Sequence, residues 1–167
     1  MDSSLFKACK EGNLEVVLEL LKNGANIEAR DINGRTPLLH TSWVGNFKVI
    51  KLLIENGADI EAKSSSRNTS LILSSRSGAF KTAEQLIESG ANMEAKDING
   101  RTPLHNASIY GNYEILLFLL EKGANIEAED NDGNTFFSFL RKDKRNEVDK
   151  AIEDIQNRKA NIKPYRK

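Results

Sequence analysis

The side chains able to do metal or acid–base chemistry are few. His40 and His105 are the only histidines, and Cys9 is the only cysteine. Structural zinc takes four such ligands at short spacings, so the usual zinc patterns are excluded. A nucleophilic cysteine needs a neighbouring base or cation to form thiolate, and no histidine lies near Cys9 in sequence. Asp130-Asn131-Asp132-Gly133 resembles part of a calcium loop. With Gly133 in the sixth place, however, the first ligand would be Ala128, and the motif fails. No glycine-rich phosphate loop ending in lysine is present. The carboxylates recur at fixed intervals rather than forming a matched pair. The expectation is therefore no enzyme, no metal and no cofactor.

The interval at which residues recur is the organising fact. Gly12, Gly45, Gly78 and Gly111 are spaced by 33 residues, as are Gly24, Gly57, Gly90 and Gly123, and Thr36, Thr69, Thr102 and Thr135. A fixed period over most of a chain means stacked similar units. Residues 97–129 state the unit most fully. Asn99-Gly100 is a tight-turn dipeptide. Thr102-Pro103 starts a short helix, with threonine as cap and proline at the first helical position. Gly111-Asn112 ends that helix, and Asn112 is placed to cap a second one. Ile115, Leu116, Phe118, Leu119 and Leu120 give the second helix a broad apolar face. Gly123 stops it. One such unit cannot bury its apolar face alone, but a stack buries a continuous core.

Thr-Pro-Leu-His at 102–105, the paired glycines and the Gly-Ala-Asn ending at 123–125 resemble the ankyrin repeat. The resemblance covers roughly residues 4–140. It implies an all-α solenoid of L-shaped helix-turn-helix units joined by β-turn or hairpin loops, in a curved stack. It also implies protein–protein recognition without catalysis, on a concave side formed by turn tips and first helices.

Taken in order, a single domain spans residues 1–158 and holds about five helix pairs. Residues 1–30 form an N-terminal cap, with Cys9 at a small-residue position of a packed helix. Residues 31–63, 64–96 and 97–129 are full repeats, and 130–158 close the stack. Residues 159–167 read as a basic tail. In the first full repeat Leu39 stands where His105 stands in the third, with His40 displaced by one, so the hydrogen-bonding histidine that the resemblance implies is not expected there. The second repeat is irregular: Arg67 holds the turn-glycine position and Ser70 the proline position. A non-glycine residue there is strained by about 1 kcal/mol, or the turn has another shape. Decay and a local specificity feature both account for this segment.

Candidate contact residues follow from the first helices and turn tips. Trp43 and Val44 end one first helix, and Ile109 and Tyr110 occupy the same places two repeats on. Trp43 either meets a partner or covers the neighbouring unit. Ile32 and Ile98 lie at turn tips. Arg30, Arg35, Lys63, Arg67, Arg76, Lys96 and Arg101 suggest a basic stripe around the aromatics. Trp, Tyr and Arg are the types most enriched at interface hot spots. A basic stripe favours a protein partner carrying an acidic segment. Glu28, Glu61, Glu94 and Glu127 also recur, two residues before Arg30, Lys63, Lys96 and Glu129, and the first three are expected to form weak acid–base pairs on a solvated face.

The net charge is zero, yet residues 1–140 hold 14 Lys+Arg against 19 Asp+Glu, and residues 141–167 hold 10 against 5. The basic clusters Arg141–Arg145 and Arg158–Lys167 carry a second reading, nuclear or nucleic-acid association. Interrupting acids and an acidic body disfavour nucleic acid. Self-association through an incompletely capped end is a third and weaker reading. No apolar run approaches the ~18 residues of a membrane span, and the first residues show no signal core. One cysteine precludes an internal disulfide and fits a reducing compartment. The expectation is a monomeric cytoplasmic adaptor, with the nucleus as a second location.

Overall fold

The computed structural model describes residues 3–161. It contains nine α-helices among the described residues, in four pairs and one long closing helix. The pairs are α1 (Ser3–Glu11) with α2 (Leu14–Lys22), α3 (Pro37–Val44) with α4 (Phe47–Glu55), α5 (Ser70–Ser77) with α6 (Phe80–Glu88), and α7 (Pro103–Ile109) with α8 (Tyr113–Lys122). First helices pack on first helices, α1 on α3 on α5 on α7, and second helices on second helices. The result is a two-row stack whose neighbours in space are neighbours in sequence.

The threonines start the first helices as expected. Thr36, Thr69 and Thr102 accept from the N–H groups of Leu39, Ile72 and His105 at 3.3, 3.4 and 3.5 Å. Pro37 and Pro103 occupy the first helical position. Residues 70–75 of α5 and 103–108 of α7 are all buried, because a first helix is enclosed by both neighbours and by its own second helix. A helix buried all round shows no one-sided pattern in its sequence. Second helices bury one side only, through Val49, Ile50 and Leu53 in α4 and Ile115, Leu116, Leu119 and Leu120 in α8. Cys9 is fully buried; burial pushes its thiol up to about 11, with the neighbouring Thr41 side chain acting weakly the other way. It is inert at neutral pH.

The closing unit departs from the template. A 3-10 turn, Phe136–Phe139, replaces the first helix and buries Phe136 against α7, where the Ser108 hydroxyl donates to the Phe136 carbonyl at 2.8 Å. The long helix α9 (Arg145–Asn161) packs on α8 with Val148 buried and Ile152 and Ile155 half-buried. It runs three residues into the segment read as a tail. The rest of that segment, 162–167, lies outside the described residues.

Two local readings are corrected by contacts between units. Asn112 makes no cap bond to α8. Its Nδ2 instead donates to the carbonyls of Ser75 and Arg76, at 2.8 and 3.0 Å, satisfying the free C-terminal end of α5. The glutamates do not pair with the basic residues two places on. Glu28, Glu61 and Glu94 each accept, at 2.8 Å, from a backbone N–H of the next unit, on Asp59, Asn92 and Asn125. A carboxylate accepting from a backbone N–H makes a charge-assisted bond at a fixed place, whereas an exposed pair of long side chains gains little. Arg30 Nη1 donates to the Lys63 carbonyl at 2.7 Å and Lys96 Nζ to the Glu129 carbonyl at 2.8 Å, so these cations also bridge units.

His105 makes the densest junction. Its Nδ1 accepts from the Thr102 N–H at 3.3 Å and lies 2.8 Å from the Thr102 hydroxyl. A backbone N–H can only donate, so Nδ1 is the bare nitrogen and Nε2 carries the proton. Nε2 then donates to the Asn134 carbonyl of the next unit at 2.9 Å. At the corresponding place in the first repeat, Leu39 packs with Ala62 and Leu73, and apolar contact replaces the bridge. The displaced His40 meets Phe6 edge-on, and its buried Nδ1 has no partner.

The irregular turn keeps its shape and carries the strain. Arg67 has φ +60°, and its N–H donates to the Ser64 carbonyl at 2.8 Å, as Gly100 N–H does to Asp97 at 3.0 Å. Arg67→Gly is expected to raise the unfolding free energy by about 0.5–1 kcal/mol in urea titration, by relieving the left-handed conformation.

At the last turn Asp130 accepts from the N–H groups of Asp132 and Asn134, each at 3.0 Å, and pairs with Arg101 at 3.4 Å. Burial pushes its carboxyl up, but these donors together outweigh burial and hold it below the ordinary carboxylate value. With the folded value depressed, the contribution of Asp130 is present above about pH 4 and lost as pH falls through the folded value. Asp130→Asn keeps the turn acceptor and removes the charge. Its stability gap to the native protein is expected to be open at pH 7 and to close on acidification, read by urea midpoints across that range.

Candidate protein-interaction face

Because the enclosed first helices α3, α5 and α7 are buried along most of their length, they expose side chains mainly at their C-terminal ends. Those ends carry Trp43 and Val44 on α3, Arg76 on α5, and Tyr110 just after α7. The three units bring Trp43, Arg76 and Tyr110 together. The Arg76 guanidinium lies over the Trp43 ring at 5.9 Å and over the Tyr110 ring at 5.1 Å. Arg76 Nη2 donates to the Tyr110 hydroxyl at 2.9 Å. Trp43 is 42% exposed and Tyr110 48%, so the outer parts of both rings face solvent. Trp43 covers the neighbouring unit through Arg76 and still presents surface. The arginine fork stacks on aromatic faces more readily than an ammonium does. The Asn112 amide fixes the end of α5 from which Arg76 projects.

The remaining candidates divide. Val44 is exposed beside Trp43, and Ile109 is half-buried. Ile32 and Ile98 stand out at the turn tips, 89% and 57% exposed. Lys63 and Arg67 are exposed and Arg35 half-buried. Arg30, Lys96 and Arg101 are engaged with backbone carbonyls or with Asp130, and Arg101 also lies over the Phe139 ring at 5.2 Å. The cations therefore do not form one free stripe.

A groove of about 480 Å³ opens beside Trp43, between the helix-to-helix turns of two units. Phe47 and Phe80 are among its walls and Lys81 stands at its rim, with its ammonium 5.5 Å from the Phe47 ring centre. Sequence reasoning missed these three. The signal was available, since Phe47 and Phe80 are spaced by the 33-residue period and follow Gly45 and Gly78 by two residues.

Among the described residues, no group of three or more His, Cys, Asp and Glu side chains could hold a metal ion. No described helix is long and apolar enough to cross a membrane.

Capped helix pairs at a fixed period, bonded unit to unit by backbone-directed side chains, define a helical repeat protein. A family model described as ankyrin repeats in three copies matches residues 2–64 and again 63–130, and the chain belongs to the ankyrin repeat family. Members of this family are generally protein–protein interaction modules, typically without catalysis. No curated protein matches the chain.

Proposed function

We propose that the chain is a non-catalytic adaptor that grips one protein partner on the side formed by its turn tips and first helices. The observation that supports this most is the assembly of Trp43, Arg76 and Tyr110, one from each of three successive units, into a single half-exposed patch. These residue types dominate binding energy when they sit in a partly dry, well-packed setting. Ile32 and Ile98 extend the contact along the turn tips. A monomer working in the cytoplasm fits this reading.

The test is affinity capture from native lysate. It compares the intact protein, a Trp43→Ala/Tyr110→Ala variant and a chain ending at Asn161. One protein held by the intact and shortened chains, and lost with the double variant, is the expected result. Capture that survives the double variant but needs residues 162–167, and is abolished by nuclease or moderate salt, transfers the function to the basic terminus, since phosphate contacts weaken steeply with salt. Within α9 that second reading has little support: Arg145, Lys150, Arg158 and Lys159 are matched by Glu147, Asp149, Glu153 and Asp154.

A further inference from the structure

Resting on that reading, we propose that the group the partner presents to this patch is a carboxylate. It belongs to an aspartate or glutamate side chain and is received at the Nη end of Arg76. An adjoining apolar side chain enters the groove beside Trp43.

Arg76 differs from the other arginines that have a carboxylate at hand. Arg101 pairs with Asp130, Arg141 with Asp143 and Arg158 with Glu121. Among the described residues Arg76 is in no ion pair. Two aromatic rings cover it, and its Nε is shielded from water with no hydrogen-bond acceptor. The guanidinium has thus lost, at Nε, hydration that nothing in the protein returns, while its Nη end stays open to solvent. Its single hydrogen bond among the described residues is the one from Nη2 to the neutral Tyr110 hydroxyl, which leaves N–H groups at the Nη end for an acceptor.

The geometry suits a planar anion. A carboxylate can accept from both Nη atoms at once, which is the strong form of this contact. The fork is held in place before binding by two rings and by the anchored end of α5, so little side-chain freedom is lost on association. A phosphate monoester, near −2 in charge, is better served by a cluster of cations. Here one guanidinium stands alone, with Lys81 occupied over Phe47 across the groove. The apolar walls at Val44, Phe47 and Phe80 supply the place for a neighbouring apolar side chain.

The experiment selects binders from a random peptide library displayed on phage, against the full chain. Trp43 is the only tryptophan, so its fluorescence reports occupancy directly with synthetic copies of the selected peptides. Enriched peptides are expected to carry Asp or Glu beside an apolar residue and to perturb Trp43 emission. They should weaken at least ten-fold when that acid becomes its amide. Arg76→Gln should produce a similar loss, and Arg76→Lys a smaller one. The amide arm uses native protein, so it decides the matter even where a variant folds poorly. Peptides that need Trp43 and Tyr110 but ignore both the acid and Arg76 sink the carboxylate and leave the interaction face standing. Peptides indifferent to all three residues sink both, and failure to select any peptide counts against the carboxylate.

Discussion

His105→Ala is expected to lower the unfolding free energy by about 3 kcal/mol, the sum of a lost buried ring, a lost helix-start bond and an orphaned carbonyl. The ring is 1% exposed and bonds Thr102 on one side and Asn134 on the other. Removing it opens a cavity and leaves the Asn134 carbonyl without its donor. His105→Leu keeps most of the volume and copies what Leu39 does in the first repeat, so its loss should be roughly half as large. The effect has an address as well as a size. Hydrogen exchange should quicken around Asn134–Leu140 and in α7, while α1 to α4 keep their protection, because each unit leans only on its neighbours. A loss below ~1 kcal/mol, or a uniform loss of protection along the chain, overturns the role assigned to His105.

The second large effect separates two glycines that look alike in sequence. Gly57 and Gly100 both have positive φ, +88° and +75°. A Cβ at Gly57 would meet no heavy atom within 4 Å. A Cβ at Gly100 would meet the Asn131 side chain and, at 2.8 Å, the Asn131 backbone nitrogen. That nitrogen is in use, since its N–H donates to the Asn99 carbonyl at 3.0 Å and joins one turn tip to the next. Alanine at 57 therefore faces only the conformational cost of about 1 kcal/mol. Alanine at 100 adds a backbone clash and a broken bond between units, for roughly 3 kcal/mol in all. Urea midpoints of the two variants are the comparison, and equal losses would show that the tips move apart freely.

These residues show what can be read from a sequence and what cannot. Threonine caps, turn glycines and the paired helices are set within a few residues, and a period of 33 repeats the message until it is unmistakable. Arg67 was legible as a misfit for the same reason. The missed features are contacts that leap between units. Arg101 to Asp130 and His105 to Asn134 span 29 residues, the glutamate bonds 31, and Arg76 to Tyr110 34. None is fixed by the period alone; each depends on how far a side chain reaches across a packed junction. Asn112 illustrates the limit. Locally it is a helix cap, yet two free carbonyls one unit back are closer to its need. The candidate face was half legible. The aromatics were visible at helix ends, but their stacking on Arg76 was not, because Trp43 and Arg76 share a register and Tyr110 is one place out of it.

The glutamate bonds have a consequence for how such a chain changes length. Glu28 reaches Asp59, Glu61 reaches Asn92 and Glu94 reaches Asn125, always by the same bond to the same kind of place. Excising residues 64–96 would set Lys63 before Asp97 and bring Glu61 to Asn125 in the register it now keeps with Asn92. A duplicated copy would be received in the same way. The seams accept whole copies and reject fragments, so gene rearrangement in steps of 33 codons preserves the stack, whereas a shift of any other length severs it. What excision of any of these copies, or insertion between them, cannot preserve is the patch of Trp43, Arg76 and Tyr110, whose members are written on three different copies. Recognition in this chain is a property of copy order, while its architecture is indifferent to copy number.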